Sequence, residues 1–170
     1  KALHIRRLIL SGRFMTGRDL KLFDRINKEV IGDLGSGKPG WINQTAILYK
    51  ISAKDTAVDM YGESSDGKTY KVGIEFACLI NHEDFDWSSE AYGPDENQNA
   101  TFHLLRDAMV QAAIVPQVGD IFEWNYAYFE INGINENQLI YGKYDNNWSA
   151  SYICHRIRKS NLNIERVRSQ

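Results

Sequence analysis

The chain has little of what most enzymes and metalloproteins need. Its 170 residues hold two cysteines, Cys78 and Cys154, and no C-x-x-C pair. That scarcity excludes the thiolate zinc clusters. Both thiols sit in apolar, strand-like runs, so buried free thiols are expected, although spacing alone leaves a disulfide open. The four histidines, His4, His82, His103 and His155, fall at no H-x-x-x-H or similar ligand spacing. No run of apolar residues approaches the length that a membrane-spanning helix needs, so no membrane partner is expected. The short apolar patch Leu8-Ile9-Leu10 is followed by no small-residue cleavage signal, so a signal peptide is not expected either.

Two motifs come close to chemistry and fail. Gly35-Ser36-Gly37-Lys38 looks like the end of a phosphate loop, but the lysine is followed by Pro39-Gly40, and a helical pattern precedes it. A phosphate loop needs Ser or Thr after the lysine and a helix that follows. His82-Glu83-Asp84 with Asp86 offers oxygen and nitrogen donors, yet it lacks the central Gly and the distal Glu of a calcium loop. A solvated acidic loop is the expectation there. No nucleophile elbow occurs, and no flanking pattern marks two carboxylates as an acid–base pair. Neither a catalytic set nor a cofactor is expected.

What is present is a core and a segregated charge. Apolar residues make up 43% of the chain, enough for one packed domain. Residues 1–28 carry eight Lys/Arg against two Asp, and residues 155–168 carry five against one Glu. Residues 29–154 carry seven Lys/Arg against nineteen Asp/Glu, so basic ends flank an acidic body while the net charge is only −2. Copies of such a chain can attract each other head to tail, or the ends can approach nucleic acid.

Periodicity divides the chain. Leu22, Ile26 and Val30 recur at i, i+4, i+8, and Phe23 joins their face, so the spacing predicts a helix over Thr16–Asp33. Gly32–Gly40, with four glycines and a proline, reads as a linker or a mobile loop. After Trp41 the period becomes two. Strands are predicted at Thr45–Ser52, Thr56–Tyr61 and Tyr70–Ile80, the last with Tyr70, Val72, Ile74 and Phe76 on one face. A long acidic loop follows over Asn81–Gln98, then a strand over Ala100–Leu105 and one or two helical turns over Arg106–Ala113. Ile121–Trp124 and Tyr128–Ile131 read as a hairpin about a tight turn. Gln138–Tyr141 and Trp148–Ile157 read as two more strands. One helix and about eight short strands with regular turns predict a mainly β fold: an antiparallel β-sandwich or small barrel with an N-terminal α-helix. The expected units are an N-terminal arm, helix and linker (1–40), a β-sandwich domain (41–157) and a basic C-terminal tail (158–170). Trp124, Tyr126, Tyr128 and Phe129 are expected mostly in the core. Their other reading, a stacking platform, would make the chain a carbohydrate- or ligand-binding β-sandwich module.

A family resemblance rests on particular residues. Pro116-Gln117-Val118-Gly119-Asp120-Ile121-Phe122, a short turn, then Tyr128-Phe129-Glu130-Ile131 resembles a late segment of the neck (head–tail connector, or head completion) proteins of T4-like and related contractile-tailed bacteriophages. Tyr61-Gly62-Glu63-Ser64 before the Tyr70–Ile80 strand, and Tyr92-Gly93-Pro94-Asp95 before Thr101–Leu105, resemble earlier elements of that family. The similarity covers roughly residues 56–160. It implies a structural protein without catalytic residues or cofactor, made in the host cytoplasm and built into the virion neck as a homohexameric ring. The implied partners are its own copies, portal or adaptor proteins, tail terminator or sheath proteins, and packaged DNA passing through the channel without sequence specificity. On this reading the interface candidates are Arg6, Arg7, Arg13 and Arg18 near the N-terminus, Asp84, Asp86 and Trp87 in the acidic loop, and Arg156, Arg158 and Lys159 near the C-terminus.

Overall fold

Alternating apolar residues in six of the strands turn to one side, and the sheet they form curls until its first and last members pair. A computed structural model describes residues 17–33, 37–52, 68–84, 86–90, 93–136, 147–158 and 162–164. The chain begins with helix α1 (Gly17–Ile31), then the two-residue strands β1 (Gly32–Asp33) and β2 (Lys38–Pro39), and β3 (Thr45–Tyr49). Next come β4 (Lys68–Thr69), β5 (Ile74–His82), β6 (Asp86–Glu90), β7 (Gly93–Asn97), β8 (Asn99–Leu105) and helix α2 (Arg106–Gln111). The last elements are β9 (Ile121–Trp124), β10 (Ala127–Asn135), β11 (Ser149–Ile157) and β12 (Leu162–Asn163).

The barrel closes in the order β3, β5, β8, β11, β10, β9 and back to β3, with every neighbour antiparallel. Of the sandwich and the barrel, the fold is therefore the barrel. β5 makes the corner. Its first half pairs with β3 (Thr45↔Ala77, Leu48↔Ile74) and its second half with β8 (Cys78↔Leu104, His82↔Ala100). Closure leaves these six strands without a free edge that could recruit a foreign strand.

Aromatic side chains fill the interior. Phe102, Phe122, Phe129 and Tyr152 are all fully buried, with Leu48, Leu104 and Ile131 among them. Phe102 stacks on Phe122 at 4.7 Å between ring centroids and meets Phe129 edge-on at 5.7 Å. Burying each such side chain stabilises the fold by roughly 1.5–3 kcal/mol. α2 covers one end: Met109 is buried there, and the Tyr152 hydroxyl donates to its sulfur at 2.9 Å. A smaller cluster, Tyr49, Tyr70, Ile121 and Tyr128, is packed by Leu162 and Ile164. β12 pairs in parallel with β4, so this part of the basic C-terminal segment is held against the body.

The Pro-x-x-Gly-Asp segment is a structural lock. Asp120 is 2% exposed, and its carboxylate accepts from the Ile51 amide at 3.0 Å and the Gln117 amide at 2.8 Å. Gly119 supplies a φ of 93°, which other residues reach only with strain. The turn is then tied to β10 by Gly119 N–H to Ile131 O and Ile131 N–H to Asp120 O, both 2.9 Å. The predicted hairpin is present as β9–β10, turning at Asn125 (φ 49°) and Tyr126 (φ 63°). Two consecutive left-handed residues match the twist of the flanking strands.

The structure departs from expectation at three places. The two ends of Gly32–Gly40 are not open chain, because β1 and β2 pair there (Gly32↔Pro39, Asp33↔Lys38). The acidic stretch after β5 is not all loop, because β6 and β7 form a ribbon of their own. Val72 does not join the buried face of its neighbours and is 66% exposed. Around it the chain pairs only through a bridge at Tyr70 and rejoins the sheet at Ile74. There Gly73 passes so close to β3 that an added Cβ would lie 2.5 Å from Ile47 Cγ2. The predicted strands at Thr56–Tyr61 and Gln138–Tyr141 fall outside the described residues.

Candidate assembly interface

The register gives the barrel two distinct ends. At one end lie α2 and the segment ends Tyr49, Ile74, Leu105, Ile121, Asn135 and Ser149. At the other lie His82, Asn99, Trp124, Ala127 and Ile157, together with the β6–β7 ribbon. The root of the ribbon is fastened by three contacts of Glu83: its amide donates to Asn99 O (3.0 Å), its carbonyl accepts from Gln98 Nε2 (3.1 Å), and its carboxylate accepts from Asn99 Nδ2 (3.0 Å). Arg156 N–H donates to Gln98 O at 2.9 Å, so β11 runs beside that root.

Five of the ten interface candidates therefore have their backbone positions at one end of the barrel. Asp84 precedes the ribbon, Asp86 and Trp87 lie on β6, Arg156 lies on β11, and Arg158 follows it, all at the ribbon end. Residues 81–99 hold six carboxylates and no Lys or Arg in sequence, and the end of β11 that carries Arg156 runs beside the root of the ribbon. Arg18 lies elsewhere, exposed in the first turn of α1 and 3.6 Å from Asp19. Arg6, Arg7, Arg13 and Lys159 fall outside the described residues.

The feature that sequence reading missed is the direction in which α1 faces. The helix is amphipathic, but no residue of it is buried. Leu22, Phe23, Ile26 and Val30 are 54%, 45%, 44% and 36% exposed, so the apolar stripe looks outward. Apart from Asp19, the partly covered residues of α1 are Leu20, Asp24, Asn27, Lys28 and Ile31, on another face. Lys28 fastens that face: its amine reaches Asp24 at 2.9 Å and Asp107 of α2 at 2.5 Å. The hydrogen bond to Asp107, and then that to Asp24, hold the lysine above its ordinary pKa. The following chain adds two backbone bonds, Trp41 N–H to Glu29 O (3.2 Å) and Ile42 N–H to Val30 O (3.1 Å). Trp41 is 90% exposed, so further apolar surface continues from the last turn of the helix.

On the opposite side of α2 lies a cleft of about 420 Å³. Met109, Val110, Ile114, Val115 and Ala150 give it apolar walls, and Arg106, Glu136 and Asn147 are polar members. Asn147 donates through Nδ2 to the Glu136 carbonyl, while its buried Oδ1 meets no partner among the described residues.

Other candidate chemistry resolves into packing. Cys78 and Cys154 are both free and buried, and burial pushes each thiol up to about 12. Among the described residues, no group of three His, Cys, Asp or Glu could hold a metal ion, and no helix is long and apolar enough to cross a membrane. The four aromatics of the hairpin do not make a platform. Tyr128 and Phe129 are buried, and Trp124 packs on His82 at 5.4 Å and on Phe129 at 6.2 Å. Tyr126 alone of the four projects, at 91% exposure.

A scan against protein-family models finds no match, and a search of curated proteins finds none either. Among solved structures, the chain is similar to one from the virion of a native gene transfer agent particle. The two are 14% identical with a TM-score of 0.47, over 68% of this chain and 94% of that one.

Proposed function

We propose that this protein is a structural subunit of a phage neck, whose copies close into a homohexameric ring that joins the portal vertex of the head to the tail and extends the DNA channel. The observation that carries the reading is the outward apolar stripe of α1. A stripe fastened with its apolar side away from its own barrel requires a second surface to cover it. The closed barrel supplies a rigid body, and repeating one heterologous contact between rigid bodies closes a ring. The resemblance of Pro116–Ile131 to the neck family supports the same conclusion.

Within that ring the acidic ribbon and the neighbouring Arg156 and Arg158 form an end surface suited to the charged faces of adjoining portal, adaptor or tail proteins. A body with an excess of carboxylates repels phosphate, so DNA slides past it rather than binding. Native mass measurement and negative-stain microscopy of the full chain, at the highest soluble concentration, test the assembly. Closed rings are expected. A chain that stays monomeric throughout contradicts the proposal.

A further inference from the structure

We infer that the contact between copies is made by the apolar stripe of α1 on one copy entering the α2 cleft of the next. This rests on the ring reading above and names the two surfaces that carry it. The stripe, with Trp41 and Ile42 beside it, presents on the order of 600 Å² of apolar surface, at the upper limit for a typical monomer and near what one partner of a stable interface contributes. The cleft is concave and walled by Val110 and Val115, which are 70% and 63% exposed.

The two surfaces cannot satisfy each other within one chain. Lys28 pins α1 to Asp107, and the Trp41 and Ile42 amides pin its last turn. Ala108, Gln111 and Ala112 of α2 face the α1 side, whereas Met109 and Val110 face the cleft, so α2 stands between them. A ridge and a groove on opposite sides of one helix define a head-to-tail contact, the kind that generates rings. Charge favours the same partner. The first 28 residues of the sequence are strongly basic and residues 29–154 are acidic, so the N-terminal segment that leads into α1 of one copy is drawn to the body of another. Arg18, Lys21 and Arg25 are exposed along α1, Arg18 and Arg25 beside Asp19 and Glu29 of their own helix, and the cleft offers the Glu136 carboxylate to them.

Disulfide trapping on the full chain tests the pairing, because the native thiols are buried. Ile26→Cys and Val110→Cys are made in separate chains of different tag mass, mixed and oxidised. The mixed Ile26→Cys/Val110→Cys dimer is expected as the dominant product, well above an Ile26→Cys/Ile153→Cys control at the exposed Ile153. A dominant Ile26→Cys homodimer, or equal yields in all pairs, overturns the inference. A second arm uses Leu22→Glu with Ile26→Glu. These side chains are already exposed, so the far-ultraviolet circular dichroism should not change while assembly weakens by roughly fivefold to tenfold per side chain. Native mass on the untrapped chain separates the two levels of the argument. Rings without the mixed disulfide remove this contact and keep the ring, whereas monomers without it remove both.

Discussion

Replacing Asp120 probes the one residue of the family-like segment whose role the structure defines fully. Its carboxylate accepts two backbone amides, Ile51 at 3.0 Å and Gln117 at 2.8 Å, at a site that is 2% exposed. A hydrogen bond to a charged group contributes about 1.5–3 kcal/mol, and removing the acceptor also leaves buried donors unsatisfied. Asp120→Ala should therefore cost about 3–5 kcal/mol, a large share of the roughly 5–15 kcal/mol that holds a domain of this kind. Asp120→Asn keeps one acceptor oxygen and turns an amide toward the second donor, so it should cost about half as much. Urea denaturation followed by tryptophan fluorescence reads both. The expected order of midpoints is wild type, then Asn, then Ala, with assembly of the folded fraction unchanged because a buried side chain cannot touch a partner. An Ala variant within about 1 kcal/mol of wild type would refute the lock. A variant that folds normally but loses assembly would instead place Asp120 in an interface.

Three further outcomes follow from other sites. Tyr126→Gly should stabilise the chain by roughly 0.5–1 kcal/mol, because glycine holds the positive φ at that turn without strain, and a lower urea midpoint would contradict it. Native protein at mildly alkaline pH should react with a maleimide at neither cysteine, and unfolded protein at both; fast native labelling would contradict their burial. Burial lowers the pKa of His103, whose Nδ1 lies 2.8 Å from Ser151 Oγ, so the fold prefers the neutral ring. Its contribution is complete above the unfolded value and is lost as pH falls through the lower folded value. The drop in urea midpoint from about pH 7.5 to about pH 5 should then be smaller in His103→Gln than in wild type, and an equal drop would argue against a role for this ring.

Much of the fold was legible because it is local. Ile121–Trp124 and Tyr128–Ile131 announce a hairpin through alternation about a tight turn, and the structure places it there. Barrel closure left no such mark. It depends on pairs distant in sequence, such as Leu48 with Phe122 and Phe102 with Tyr152, which a sandwich would satisfy equally in composition. The β6–β7 ribbon was hidden because Asp86-Trp87-Ser88-Ser89-Glu90 and Gly93-Pro94-Asp95-Glu96-Asn97 are poor strand formers. α1 shows the opposite case. Its stripe was plain at i, i+4, i+8, but an apolar stripe is ordinarily read as facing the core. The hint that it does not is Asp24 four residues before Lys28, a polar pair that the structure turns toward α2. Placing Asp84 and β6 at the same end of the barrel as Arg156 and Arg158 required the register of β8 against β5 and β11, which no single segment encodes.

Electron microscopy of purified particles carrying the chain with a small C-terminal tag tests the account most directly. A closed ring at the junction of head and tail, with one tag per subunit and α1 seated between neighbours, is the expected image. Particles in which the tag is absent from that junction, or marks isolated copies elsewhere, would contradict it.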